Sequence, residues 1–181
     1  MRKVDTTNVK EAGEFSRPEA GAYICVIRNV EDVPDREYLR ITYDIAEGEF
    51  KGYYDEMRKT HPDWGTVGSY VRSYKTTALP FFKRFCSAVS KSNKKYVFDG
   101  NTINADETTL TGKKIGILFQ EEEYYGNDGN KKSRLIVYSE FPVDQLAKQK
   151  TPAPKKLAED ETNDSDFMNI PAVSDEEVPF S

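Results

Sequence analysis

Two carboxylates and a lysine in the first third of the chain have the types and spacing of a metal-dependent hydrolytic site. Asp35 follows a proline, and one residue separates Glu49 from Lys51. Such a set could hold Mg²⁺ with its carboxylates and use the lysine to help an attacking water. The pattern is short, and both parts fall in predicted turns, the second between Gly48 and Gly52. A Mg²⁺-dependent nuclease is therefore one hypothesis, and the flanking glycines favour a solvated hairpin instead.

Other groups that could bind a metal or act as a nucleophile give weaker patterns. The acidic run 121–123 alternates between the two faces of a strand, so its carboxylates do not converge on one ion. His61 is the only histidine, which argues against a Ser-His-Asp set and against structural zinc. Cys25 and Cys86 lie among apolar residues and are predicted to be buried free thiols. We therefore predict no metal, no cofactor and no enzymatic activity.

Aromatic residues beside lysine and arginine recur in three segments, 53–64, 70–75 and 124–134. Flat rings stack on unpaired bases and positive charge follows a phosphate backbone, so this combination is typical of proteins that bind single strands without sequence preference. Half-buried packing is the alternative for any single tyrosine. The predicted binding residues are Arg40, Tyr54, Arg58, Lys59, Trp64, Tyr70, Arg72, Tyr74, Lys75, Tyr124, Tyr125, Lys131, Lys132 and Arg134.

Hydrophobic periodicity predicts the elements that position these residues. The predicted strands lie at 20–31, within 37–48, at 53–61, 113–122 and 133–141, with a helix at 78–91 and a loop at 93–112 that could hold a short strand at 96–98. Five antiparallel strands with one helix between the third and fourth is the order of a mainly β, OB-type Greek-key barrel, the oligonucleotide-binding fold. An SH3-like barrel or another small α+β domain is also compatible with this order.

Composition divides the chain into an N-terminal arm at 1–18, an OB-like nucleic-acid-binding domain at 19–149, and an acidic tail at 150–181 that is predicted to be disordered. From residue 151 onward there are eight acids and two bases, a net charge of -6, whereas the remainder has 24 bases and 23 acids, a net charge of +1. A near-neutral body with an acidic tail differs from a uniformly acidic protein, because the body can still present a basic groove.

The stretch DEEVPF near the end of the chain resembles the C-terminal tip of bacterial and phage single-stranded DNA-binding proteins. That tip is a run of acids followed by an aliphatic residue, proline and phenylalanine. The matching residues are Asp175, Glu176, Glu177, Val178, Pro179 and Phe180, and Ser181 follows where the family usually ends on phenylalanine. The resemblance implies that Phe180 fills an apolar pocket on a partner while basic residues of that partner meet the acids.

Two blocks of the body, 21–54 and 110–135, are similar to small single-stranded DNA-binding proteins encoded by phages and conjugative elements of Gram-positive bacteria. Together with the tip, they imply a protein that coats single-stranded DNA in replication or recombination and recruits partners through its tail. An interaction module without nucleic-acid function remains an alternative, RNA remains an alternative target, and a homo-oligomer is compatible with the sequence. Without an apolar stretch suited to a signal peptide or membrane span, the expected location is the cytoplasm of a bacterial host.

Overall fold

The computed structural model describes residues 1–7, 16–101 and 105–157, and its fold is mainly β. The strands are β1 (Gly21–Val33), β2 (Tyr38–Ile45), β3 (Ser69–Ser73), β4 (Lys114–Tyr125) and β5 (Lys131–Phe141). The helices are α1 (Tyr53–Thr60) and α2 (Leu79–Ser92), and short 3₁₀ turns include η4 (Val143–Lys148).

The five strands form one antiparallel sheet in the order β3-β2-β1-β4-β5. β1 is the central strand, and it pairs with β2 through one half and with β4 through the other. β3 and β5 are the two edge strands, and no backbone pairing joins them within the described residues. The sheet is therefore not closed by a backbone ladder.

The alternation predicted for the second strand is confirmed, since Leu39, Ile41, Tyr43 and Ile45 all face the core. A strand places successive side chains on opposite faces, so one buried face needs apolar residues at every second position. β1 and β4 supply the other walls of this core with side chains in the same alternating pattern. They are Cys25, Ile27, Ile115, Ile117 and Phe119.

The predicted helix is confirmed as α2, and its apolar stripe lies on the sheet as expected. Phe85, Cys86 and Val89 are buried, which is the spacing of one helical face. Asn93 ends the helix, and its amide nitrogen donates to the carbonyl oxygens of Val89 at 2.7 Å and Lys114 at 2.8 Å. This side chain therefore connects the end of α2 to the first residue of β4.

The third predicted strand is wrong, because residues 53–60 form helix α1 and the third strand is Ser69–Ser73. The carboxylate of Asp44, at the end of β2, accepts hydrogen bonds from the backbone N–H groups of Tyr54 at 2.9 Å and Ile45 at 2.8 Å. An acid that accepts from a first-turn N–H stabilises a helix start. Here the acid comes from a neighbouring strand, so local sequence does not reveal it.

The short segment 96–98 is not a strand in the structure. Its Phe98 is buried beside α2, and the backbone N–H of Phe98 donates to the Ser90 hydroxyl oxygen at 2.9 Å. A side chain of α2 thus satisfies the backbone group that a strand partner would otherwise satisfy.

Residues 151–157, which we call the strap, pair with β4 on the side opposite β5, beyond the point where β1 begins. The Lys155 N–H donates to the Glu121 carbonyl at 2.8 Å, and the Glu123 N–H donates to the Lys155 carbonyl at 2.9 Å. The tail predicted from residue 150 therefore begins with an anchored stretch. Residues 158–181, with the DEEVPF tip, and residues 8–15 of the predicted N-terminal arm lie outside the described residues.

Candidate nucleic-acid interface

Arg40 lies on the outward face of β2, as the alternation of that strand predicts. Its guanidinium donates to the Glu31 carboxylate at 2.7 Å and lies 6.0 Å from the centre of the Tyr38 ring. Because Glu31 is directly opposite Arg40 in the β1–β2 ladder, this pair is a cross-strand ion pair at an exposed surface. Arg40 is accessible to a ligand, but its charge already has a partner.

Trp64 is more exposed than Tyr54, the other aromatic residue predicted to bind DNA before β3. Its side chain is 49% exposed, and its ring stacks on the imidazole of His61 with centroids 3.9 Å apart and planes 8° apart. One face of the indole is held by His61, and the stack sits in the loop between α1 and β3. A ring held in this way is a preformed platform for a flat base.

Tyr54 packs inside the protein and does not offer an open ring face. Its ring centre lies 5.1 Å from those of both Tyr43 and Tyr53, in edge-to-face contacts. Burial raises the pKa of Tyr54 well above its usual range. The sequence prediction of Tyr54 as a stacking residue is therefore corrected to a packing role, since α1 turns this side chain toward the sheet.

Arg58 and Lys59 on α1 have different environments. Arg58 pairs with Asp55 and also donates to the carbonyl oxygens of Tyr43 at 3.2 Å and Val67 at 3.0 Å. Arg58 thus ties α1 to β2 and to the loop that carries Trp64. Lys59 is exposed, and its ammonium lies 3.6 Å from the Glu56 carboxylate.

Tyr70 and Arg72 point to the interior side of β3, not to the surface where a strand of DNA would lie. The Arg72 guanidinium lies 5.1 Å from the centre of the Tyr70 ring and pairs with the buried Glu140 of β5. Val71 is the outward residue between them and is 49% exposed. The prediction of Tyr70 and Arg72 as binding residues is therefore corrected, because the period of two places them on the core side of the edge strand.

Tyr74 and Lys75 lie between β3 and α2. The Tyr74 hydroxyl donates to the Asp32 carboxylate at 2.8 Å, and burial together with this carboxylate raises the pKa of Tyr74 to about 12. Lys75 is exposed, and its ammonium has no acidic partner within the described residues. Within the described residues, every other basic residue that was predicted to bind DNA has an acidic partner.

The β4–β5 arm, residues 121–135, carries the last predicted cluster. Tyr125 is 60% exposed, and the Arg134 guanidinium lies 4.9 Å from the centre of the Tyr124 ring. The bases of the arm are paired with its own acids. The pairs are Lys131 with Glu123 at 2.9 Å, Lys132 with Asp128 at 2.9 Å, and Arg134 with Glu122 at 2.8 Å. The arm therefore offers aromatic faces with little excess positive charge.

The nuclease pattern does not assemble. Asp35 lies in the turn between β1 and β2, whereas Glu49 and Lys51 follow the opposite end of β2. A strand of eight residues spans about 26 Å at 3.3 Å per residue, so these carboxylates cannot share one metal ion. No group of three potential metal ligands occurs among the residues that the structure describes.

A buried carboxylate lies beneath the outer face of β1 and β2. Asp44 is fully buried, and the Arg28 guanidinium lies 3.7 Å from its Oδ2 and 2.8 Å from the carboxylate of Asp55. Burial and the neighbouring carboxylate of Asp55 raise the pKa of Asp44. Burial also tends to raise the pKa of Asp55, but its contacts with Asp44, Arg58 and Arg28 lower it. As pH rises, Asp44 is therefore the last of the two to lose its proton.

Sequence reasoning missed an apolar groove beside the N-terminal half of α2. Its volume is about 700 Å³, and Leu79, Pro80, Phe82 and Phe98 line it, with Lys83 at one rim. The buried stripe of α2 is visible in the sequence, but the fold of the 93–101 segment over the helix is not.

None of the helices within the described ranges is long and apolar enough to cross a membrane. No protein-family model matches the chain, and a search of curated proteins finds no significant match.

Proposed function

We propose that this chain is a non-enzymatic protein that binds single-stranded DNA without sequence preference, through an OB-type domain. The observation that carries the proposal is a set of four exposed or half-buried aromatic rings, three of which are held beside a cation or an imidazole. The set consists of Trp64 on His61, Tyr124 under Arg134, Tyr38 beside Arg40, and the open ring of Tyr125. Such rings are the stacking platforms that single-strand binding requires.

The strand order supports the OB-type part of the proposal. An OB-fold is a partly open five-stranded barrel in which strands 2 and 3 and the loops after strands 1 and 4 contact nucleic acid. Here β1 pairs with β2 and β4, β3 lies beyond β2, and β5 lies beyond β4. Closure would bring β3 beside β5, and the contact of Arg72 with Glu140 joins these two strands through side chains.

The loops expected to contact DNA carry several of the aromatic platforms. The β4–β5 arm holds Tyr124 and Tyr125, and the outer face of the β1–β2 hairpin holds Tyr38 and Arg40. Trp64 lies in the loop that leads into β3. Each stacked base would contribute about 1–3 kcal/mol, so three or four platforms suffice for useful affinity.

In this proposal the protein coats transient single strands in replication or recombination of a phage or mobile element, in the cytoplasm of a bacterial host. The DEEVPF tip at 175–180 would recruit other proteins by placing Phe180 in an apolar pocket, with its acids beside basic residues of the partner.

A fluorescein-labelled oligo-dT titration tests the proposal. We expect binding without Mg²⁺, similar affinity for mixed-sequence strands, and a steep loss of affinity between ~50 and ~200 mM salt, because counterions are released from the strand. Absence of binding at low salt would refute the proposal and favour an interaction module without nucleic-acid function. Mg²⁺-dependent cleavage that is lost in Glu49→Ala would instead support a nuclease, and an equal affinity for oligo-U would extend the target to RNA.

A further inference from the structure

The bases of the predicted binding face are largely neutralised by acids of the chain. Each of these bases has a carboxylate oxygen within 3.6 Å of its charged nitrogen. They are Arg40, Lys59 and the basic residues of the arm. Exposed ion pairs are weak and can exchange partners. However, when a phosphate replaces such a carboxylate, the displaced carboxylate stays nearby and repels it. Paired bases therefore contribute less to the binding of a polyanion than unpaired bases do.

The solvent side of α2 has the opposite character. Lysines recur from just before this helix to the turn after it, and none of them has an acidic partner within the described ranges of the chain. These residues are Lys75, Lys83, Lys91, Lys94 and Lys95, and we call them the α2 lysine track. Helix α2 has 14 residues and is therefore about 21 Å long, so the track can follow several consecutive phosphates.

Helix geometry places the central lysines of the track on one face of α2, about 80° apart around its axis. Lys83 and Lys91 are eight residues apart, about two turns, and are separated by about 12 Å along the axis. Ser87 lies midway between them on the same side, four residues from each. Phe85 and Val89 face the core from the other side of the helix, so the lysines point away from the sheet.

The track is bordered by exposed apolar and aromatic side chains. Phe81 is 54% exposed, and the Arg84 guanidinium lies 5.4 Å from the centre of its ring. Leu79 is 46% exposed at the start of the helix. An open ring with a cation on one side is the same combination as that of Tyr124 and Arg134.

We propose that the α2 lysine track is a second contact surface for single-stranded DNA, along which the phosphate backbone runs. This inference rests on the proposed function and extends it, because it adds a surface beyond the strands and loops of an OB-type face. A polyanion fits the track because the track consists of unpaired cations. The apolar groove beside the track would instead suit a compact acidic peptide. Helix α2 itself contains no acidic residue.

The test is the double variant Lys83→Glu/Lys91→Glu in the full chain, titrated with labelled oligo-dT from ~50 to ~200 mM salt. We expect affinity at ~50 mM salt to fall at least about tenfold. We expect the slope of log K against log[salt] to become shallower by about 1.4, because a single strand loses about 0.7 per phosphate contact. The variant Lys83→Arg/Lys91→Arg should bind as the wild type does.

The matched control is Lys148→Glu/Lys150→Glu, which makes the same change in net charge. Lys148 and Lys150 are also exposed and without an acidic partner in the described part of the chain, but Lys148 is the last residue of η4 and Lys150 directly precedes the strap. We expect this control to lose less than about threefold, since it changes only the long-range field. Circular dichroism of all variants verifies that the exposed substitutions leave the fold intact.

The outcomes separate this inference from the proposed function. If the wild type binds and the α2 variant binds equally well, or no worse than the control, the lysine track is not a contact surface and the proposed function stands. If the wild type does not bind oligo-dT, both are refuted. If Lys83→Glu/Lys91→Glu leaves DNA affinity unchanged but abolishes binding of a labelled DEEVPF peptide, the surface is a peptide site instead.

Discussion

Arg72 on β3 donates from Nε to the Glu140 carboxylate on β5 at 2.5 Å, and this pair joins the two edge strands of the sheet. Glu140 is buried and Arg72 nearly so, and the Arg84 guanidinium of α2 lies 3.7 Å from the second carboxylate oxygen. In the described residues no backbone ladder connects β3 with β5. A charged side-chain contact thus links strands that backbone hydrogen bonds would join in a closed barrel.

We predict that Arg72→Met destabilises the protein by about 3–5 kcal/mol, because it leaves the carboxylate of Glu140 buried without its main partner. Urea unfolding monitored by circular dichroism measures this change. The double variant Arg72→Met/Glu140→Leu should recover most of the stability, since replacing both charges removes the desolvation cost. A double variant no more stable than Arg72→Met would contradict this explanation.

We predict that Trp64→Ala weakens oligo-dT binding by about 1–3 kcal/mol, or about 5- to 150-fold, with little change in stability, because the ring is half exposed. Trp64 is the only tryptophan, so quenching of its fluorescence reports a stacked base directly. Tyr54→Ala is the contrasting variant. Its loss of core packing should cost about 3–5 kcal/mol of unfolding free energy. Binding by Trp64→Ala at wild-type affinity would remove this residue from the interface.

We predict that Asp44→Asn gains stability relative to the wild type as pH rises. The folded state raises the pKa of Asp44 above the unfolded value of 3.8, so the folded protein binds more protons between these two pKa values. The stability that protonated Asp44 contributes is thus present below pH 3.8 and lost as pH rises through its folded pKa. Asparagine keeps an oxygen for the Tyr54 and Ile45 N–H groups and stays neutral.

Urea unfolding of Asp44→Asn and wild type from about pH 4 to about pH 8 measures this difference. Asp55 titrates in the opposite sense, because its lowered pKa contributes stability above 3.8 that is lost as pH falls. Both proteins keep Asp55, so its contribution largely cancels in the comparison. Asp44→Ala is the control and should be less stable than Asp44→Asn by about 0.5–2 kcal/mol at every pH, since both lack the titrating carboxyl but alanine also removes the helix cap. A difference between Asp44→Asn and wild type that does not vary with pH would contradict the raised pKa of Asp44.

We predict that Lys155→Pro releases the strap from β4. Proline lacks the N–H that donates to the Glu121 carbonyl, and the loss of such a hydrogen bond costs about 1 kcal/mol. Amide hydrogen exchange at Glu123, whose N–H donates to the Lys155 carbonyl, should accelerate. Lys155→Ala keeps the backbone N–H and loses only the ion pair with Glu122, so it should leave exchange at Glu123 unchanged. Equal exchange rates in both variants would show that the backbone pairing does not hold the strap.

Local periodicity by itself determined much of the framework. The alternation of Leu39, Ile41, Tyr43 and Ile45 predicted β2, and the stripe of Phe85 and Val89 predicted α2. The strands predicted at 113–122 and 133–141 are β4 and β5, and both extend further toward the loop between them than expected. These elements are visible because the pattern of buried residues has the period of the element that buries them.

Only the tertiary structure decided the identity of the 53–60 segment, the direction of the β3 side chains and the charge of the proposed binding face. Asp44 starts α1 from a neighbouring strand, and Glu140 holds Arg72 on the inner side of β3. Acids of the arm neutralise its own bases, whereas the lysines of α2 are left unpaired within the described chain. These results depend on which side chains the fold brings together, from the arm's neighbouring acids and bases to Arg72 and Glu140, which are 68 residues apart, and sequence spacing alone does not specify such contacts.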